Sequence, residues 1–117
     1  MRLLVCGGRN FTNSDEKWVF SELDQFHAKT PITLLIDGDA RGVDRIAGKW
    51  ATIQGIERMV FPADWGKYGT SAGPIRNAQM LKEGLPNIVM AFPGGKGTAN
   101  MISQAVNQSI QVIRVLL

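Results

Sequence analysis

Short β-rich runs alternate along the chain with segments whose apolar residues recur every three or four positions. The runs fall at residues 3–6, 33–36, 58–61, 88–92 and 111–115, and they predict five strands. Between them lie four helical patterns. The first opens near Ser14 or Asp15, both good N-caps, with Trp18, Val19, Leu23 and Phe26 on its apolar face. In the second, Val43, Ile46, Ala47, Trp50 and Ala51 follow the i, i+3, i+4, i+7, i+8 spacing of a core-facing stripe. The third opens with Pro74, suited to a first helical turn, and ends near Gly84. The fourth follows a glycine-rich turn and points Met101, Ile102, Ala105 and Val106 inward. Residues 62–72, rich in Gly and aromatics, read as a long loop.

Strict alternation of strand and helix, with short apolar strands, predicts a parallel sheet covered on both faces. Right-handed crossovers make this an α/β fold, a three-layer α/β/α Rossmann-like sandwich. The expected strand order is 3-2-1-4-5, with a switch point between the first and fourth strands. No repeat or linker interrupts the pattern, so residues 1–117 read as a single domain.

Composition narrows the class. With 117 residues and 12.8 kDa the chain has room for one domain, whose core needs no staples. No apolar run approaches the roughly 20 residues of a membrane span. The N-terminus runs straight into a strand-like segment, which predicts no signal peptide. A lone cysteine, Cys6, fits a reducing cytoplasm and reads as a small core residue. Thirteen Lys and Arg against ten Asp and Glu give +3, scattered in ones and twos rather than in the stripe of a duplex-binding surface.

The position of the cations matters more than their sum. In an open parallel sheet, ligands bind outside the carboxyl ends of the strands at the switch point. The loops expected there hold Gly7-Gly8-Arg9, Gly38 with Arg41 and Gly42, Lys67 with Gly73, Arg76 and Asn77, and Pro93-Gly94-Gly95-Lys96-Gly97-Thr98. Glycines, helix starts and cations around one crevice suit an anion, above all phosphate. The last turn carries the strongest single signal, because glycine lets backbone N–H groups approach a ligand and Thr98 can cap the helix or bond a phosphate oxygen. It is neither a Walker A sequence nor the dinucleotide fingerprint. Read blandly, it simply turns the chain.

Four carboxylates, Asp37, Asp39, Asp44 and Asp64, belong beside the same crevice. They suit ribose hydroxyls, a metal-bound phosphate or acid–base work. Asp44 equally suits the positive end of the second helix. Trp65 and Tyr68 offer either base stacking or packing. Arg76 can grip a phosphate through two N–H groups or form a surface ion pair. His27 lacks a metal-binding neighbour and reads as solvated. No zinc spacing or Ser-His-Asp arrangement is present, and no cofactor requirement can be read from the residues; need for a divalent metal stays open.

These motifs together resemble the SLOG superfamily, the Rossmann-like group of the LOG nucleotide phosphoribohydrolases and the DprA/Smf proteins, and most closely its small YspA-like branch. The match runs from Val5-Cys6-Gly7-Gly8-Arg9-Asn10-Phe11 through Gly38-Asp39-Ala40-Arg41-Gly42-Val43-Asp44 and Trp50-Ala51. It continues through Phe61-Pro62-Ala63-Asp64-Trp65 and Ala72-Gly73-Pro74-Ile75-Arg76-Asn77 to Phe92-Pro93-Gly94-Gly95-Lys96-Gly97-Thr98. The resemblance implies a nucleotide-derived ligand, with its phosphate on the last turn, and a homodimer in the prokaryote or phage cytoplasm. LOG enzymes cleave the N-glycosidic bond of nucleoside 5′-monophosphates with an arginine and the glutamate of Pro-Gly-Gly-x-Gly-Thr-x-x-Glu. Arg76 matches the arginine, whereas Met101 occupies the glutamate position. A thioether cannot stabilise an oxocarbenium-like centre.

Three functions follow. The leading expectation is binding of a nucleoside monophosphate, NAD, ADP-ribose or a signalling nucleotide, as sensor or carrier. The second is an N-glycosidic hydrolase in which Arg76 holds phosphate and Asp64 or Asp44 supplies the carboxylate. The third, by analogy with DprA, is single-stranded DNA binding, disfavoured by the mild and scattered charge.

Overall fold

The computed structural model describes residues 1–116. The chain runs through β1 (Arg2–Cys6), a 3-10 turn (Asn13–Asp15), α1 (Glu16–Lys29), β2 (Leu34–Asp37), α2 (Val43–Gln54) and β3 (Glu57–Val60). It continues through α3 (Trp65–Tyr68), a second 3-10 turn (Gly69–Ser71), α4 (Ala72–Gly84), β4 (Ile88–Ala91), α5 (Lys96–Asn107) and β5 (Gln111–Arg114). All neighbouring strands pair in parallel, in the order β3-β2-β1-β4-β5. The expected sandwich and its switch point are both present.

Alternation along the central strands divides the core into two layers. Leu3, Val5, Leu35, Met90 and Phe92 pack against Val19, Leu23, Val43, Ala47 and Trp50 of α1 and α2. Leu4, Cys6, Ile36, Val89 and Ala91 face the other way, against Met80, Leu81, Met101 and Ala105 of α4 and α5. The edge strands β3 and β5 are only half covered, whereas β2 is buried throughout.

Four local expectations need correction, the first being Val106, which stands exposed on α5 instead of facing inward with Met101 and Ala105. The long loop contains α3 and the second 3-10 turn, because the Asp64 side chain accepts the Lys67 N–H at 3.0 Å and so caps a short helix. The following helix begins at Ala72, which puts Pro74 inside its first turn and Arg76 beyond it. His27 is not a free surface side chain. It is half-buried, its Nδ1 accepts the Ile32 N–H at 2.9 Å, and its ring meets the Trp50 indole edge-on. The indole N–H of Trp50 in turn donates to Asp24 at 2.8 Å.

Three loops meet at the switch point through a single residue. The Gly8 N–H donates to the Pro93 carbonyl at 2.9 Å, and the Gly8 carbonyl accepts the Val43 N–H at 3.1 Å. Gly42 makes the second contact possible. Its φ is +91°, and a Cβ there would collide with the Gly8 carbonyl oxygen and lie 2.8 Å from the Arg9 Cα. Gly42→Ala is therefore expected to cost about 2 kcal/mol, lowering Tm by roughly 10 °C. Thermal denaturation followed by circular dichroism checks this; an unchanged Tm would mean that the contact is not needed.

Candidate functional site

At the carboxyl ends of the strands, the loops enclose a crevice with two adjoining lobes. The larger, about 630 Å³, lies between Gly7, Gly8 and Arg9 on one side and Gly95, Lys96, Gly97 and Thr98 on the other. The smaller, about 410 Å³, is lined by Gly38, Asp39, Arg41, Arg45 and Pro62, among others. Arg9, Ala40, Arg41, Trp65 and Arg76 border both. Among the described residues, no three His, Cys, Asp or Glu side chains gather closely enough to hold a metal ion. None of the described helices is long and apolar enough to cross a membrane.

The start of α5 forms one wall. Gly95 precedes it without a side-chain cap, and its first turn holds no acidic residue. The first backbone bond of the helix runs from the Ala99 N–H to the Gly95 carbonyl, so the N–H groups of Lys96, Gly97 and Thr98 have no intrahelical acceptor. They sit at the positive end of the helix dipole, beside the Lys96 side chain. Asn77 braces this wall from α4, its amide donating to the Gly97 carbonyl at 3.2 Å and to Asn100 at 3.1 Å. Gln104 completes the brace by donating to Asn100 at 2.7 Å and to the Pro74 carbonyl at 3.1 Å.

Arg76 crosses the floor. Its Nη1 donates to the Gly38 carbonyl at 2.9 Å and its Nε to Asn77 at 3.0 Å. The guanidinium fills the space that a Cβ at residue 38 would need, which requires glycine there. Burial lowers the Arg76 pKa and the neighbouring Arg9 adds to that, while the charge of Asp44 acts in the opposite sense. Across the crevice, the Arg9 guanidinium lies 5.1 Å from the ring centre of Trp65.

The acids divide sharply. Asp37 is fully buried and holds Arg58 in a two-point ion pair, at 2.7 and 2.8 Å. Asp39 takes a left-handed backbone conformation, φ +54°, and its N–H donates to Asp37 at 2.7 Å. Asp44 Oδ2 accepts the N–H groups of Gly38 and Ala40, both at 3.2 Å. Its Oδ1 accepts none from the described residues yet is not sealed off, so it opens on the crevice that the residue lines. Asp64, tied into the α3 cap and exposed, does not line either lobe.

Of the other residues read as ligand-binding, Gly73 lines the larger lobe and Gly38 the smaller. Gly42, Pro93 and Gly94 line neither lobe: Gly42 is buried, Pro93 and Gly94 are exposed, and Gly42 and Pro93 meet Gly8. Lys67 lies outside both lobes, 5.1 Å from the Tyr68 ring. Met101 is fully buried in the core. Cys6 touches the crevice floor, but burial pushes its thiol up to about 12, which keeps it protonated and unreactive. Sequence reasoning missed Arg45 and Asn100. Arg45 follows Asp44 on the opening turn of α2, and Asn100 stands four residues before Gln104 on one face of α5; in both cases the helical spacing was the available signal.

A family profile, YAcAr, described as the YspA, cpYpsA-related SLOG family, matches residues 1–68. The "Gene 61 protein" of Mycobacterium phage D29 is 33% identical over 119 residues, spanning 96% of this chain and 94% of that one. The chain belongs to this SLOG family. A solved structure of the Moco carrier protein from Chlamydomonas reinhardtii superposes on it with a TM-score of 0.61 at 18% identity, covering 97% of this chain and 75% of that one. That likeness is one of fold. The family match ends at Tyr68, so it covers the Gly8 and Asp44 side of this SLOG crevice and stops short of Arg76 and α5.

Burial, reinforced by the charge of Asp37, raises the Asp44 pKa from 3.8 to about 6. A carboxyl whose pKa is higher folded than unfolded holds its proton more tightly in the native state. Its contribution is favourable below about pH 4 and is lost as pH rises through 6. Asp44→Asn, which keeps an acceptor for Gly38 and Ala40, is expected to stabilise the protein by about 2–3 kcal/mol at pH 8 and by nothing below pH 4. Urea denaturation at the two pH values measures the difference; an equal effect at both would show that ionisation is not the cause.

Proposed function

We propose that this protein binds a small phosphorylated ligand of the nucleotide class in the crevice, as a sensor or carrier. One observation carries the reading: the uncapped start of α5 and the cations Arg9, Arg76 and Lys96 converge on one concavity at the switch point of the sheet. Free N–H groups at a helix start, flanked by cations, complement a phosphate dianion. The half-exposed indole of Trp65 at the rim, overlain by Arg9, offers a base or another flat ring a stacking surface. Nucleoside monophosphates, NAD, ADP-ribose and signalling nucleotides all carry the required parts. The carrier role named for the Chlamydomonas protein, a structural neighbour, agrees with binding without turnover. So does Met101, whose packing in the core puts no carboxylate at the position where LOG enzymes have theirs.

A second reading, N-glycosidic hydrolysis, draws support from Asp44, whose free oxygen faces the same crevice as Arg76. It requires release of free base and ribose 5-phosphate from a nucleoside monophosphate and water. It also requires that Asp44→Asn abolish turnover while keeping binding.

A thermal-shift screen against these nucleotides is the direct test. A ligand at about 100 times its Kd should stabilise the protein by roughly 2.7 kcal/mol, on the order of 10 °C in Tm. Arg76→Ala should weaken binding about tenfold or more, and Lys96→Ala, an exposed change that leaves the fold intact, by severalfold, on the order of 1 kcal/mol. Folded protein that responds to no phosphorylated compound would overturn the proposal, and base released during incubation would favour hydrolysis.

A further inference from the structure

The smaller lobe is unusual for what surrounds it. Four guanidinium groups, those of Arg9, Arg41, Arg45 and Arg76, line a space of about 410 Å³ in which Asp39 is the one acid. Asp39 is already shared, 3.3 Å from Arg58 and 3.6 Å from Arg45. Arg9 and Arg41 form no ion pair with any described residue, and Arg76 engages its Nε and Nη1 with Asn77 and carbonyl groups, leaving Nη2 without a partner among the described residues. Outside the lobe, Arg58 is matched by Asp37 and Lys49 by Glu16, while the other cations form no ion pair among the described residues; what sets the lobe apart is that its unpaired arginines share one concavity.

Like charges gathered around a concavity repel one another, and a partly dry wall strengthens the repulsion. At Arg76 burial is the main cause of a lowered pKa, and the nearby Arg9 adds to it, although the charge of Asp44 opposes it more strongly than Arg9 contributes. An anion placed among these groups would relieve the repulsion, and the planar fork of each guanidinium suits the paired oxygens of a phosphate or carboxylate. The start of α5 lies in the other lobe, so its free N–H groups do not serve this space.

We infer that the smaller lobe is a second anion site, and that the ligand carries two separated anionic groups, one at residues 95–98 and the other among Arg41, Arg45 and Arg76. The inference rests on the proposed function, which supplies the first of these groups. It narrows the ligand to a compound bearing a phosphate and, at a distance from it, a second phosphate or carboxylate. A molecule with only one anion would fill half of the recognition surface. Joining two weak sites through one ligand makes the second contact intramolecular, so neither site alone need bind tightly.

Counting phosphate sites tests this without knowledge of the ligand. Uniformly ¹⁵N-labelled protein is titrated with inorganic phosphate at constant ionic strength, following backbone amides and arginine Nε–H signals by NMR. Two sets of saturating shifts with separate affinities are expected, one at residues 95–98 and one at Arg41 and Arg45. Arg45→Ala, which alters an exposed side chain found only in the smaller lobe, should weaken the second set about fivefold or more and leave the first unchanged. Shifts confined to residues 95–98 would overturn the second site while leaving the proposed function standing. Shifts confined to the arginines would overturn the two-anion ligand and remove phosphate from the α5 wall. If neither set responded, both readings would fall.

Discussion

A single residue holds the crevice in shape. Gly8 donates to the loop after β4 and accepts from the first residue of α2, so the loops following β1, β2 and β4 are pinned within one hydrogen-bond length of each other. Neither contact survives a bulky neighbour, which is why Gly42 takes a conformation that other residues avoid. Because β1 lies at the centre of the sheet, this junction falls where the strand order reverses, and the starts of α2 and α5 are brought to the same opening. The shape of the crevice is thereby tied to sheet topology.

Buried charge sets the second constraint. Asp37 is taken wholly out of water at the end of β2, a placement tolerable only because Arg58 meets it through two hydrogen bonds. Those bonds also hold Arg58 charged and flat against Gly48 of α2. With Asp37 neutralised, its other contact fixes the Asp39 backbone, and the turn that follows delivers two N–H groups to Asp44. The structural carboxylate and the crevice carboxylate are therefore neighbours with opposite fates: one is permanently paired, whereas the other keeps an oxygen open to the crevice.

Much of this was legible in the chain itself. Strands and helices alternate with clean periodicity, the chirality of their connections leaves few arrangements, and the expectation of a switch point between the first and fourth strands selects the order among them. The glycine-rich turn, Arg9 and Arg76 stood out because chemistry and loop position coincided. What escaped depended on contacts between segments distant in sequence. His27 looked solvated because nothing nearby signals that Ile32 will turn back to donate to its ring. Asp64 resembled a catalytic carboxylate, but local backbone geometry engaged it as a cap. Arg45 lay hidden among helix-surface charges, since only the folded turn at Asp39 shows which way that face of α2 looks.

The stacked pair of Arg9 and Trp65 has a mechanical consequence. It stands where the two lobes meet, and both members are exposed to solvent. A contact of this kind is worth only about 0.5–1 kcal/mol at an exposed site. On the proposed reading, an aromatic ring of the ligand would compete with the guanidinium for the indole, and displacing so weak a contact would cost little. The partition between the lobes is thus held by one weak contact, whereas the floor at Arg76 and the start of α5 are each braced by several hydrogen bonds.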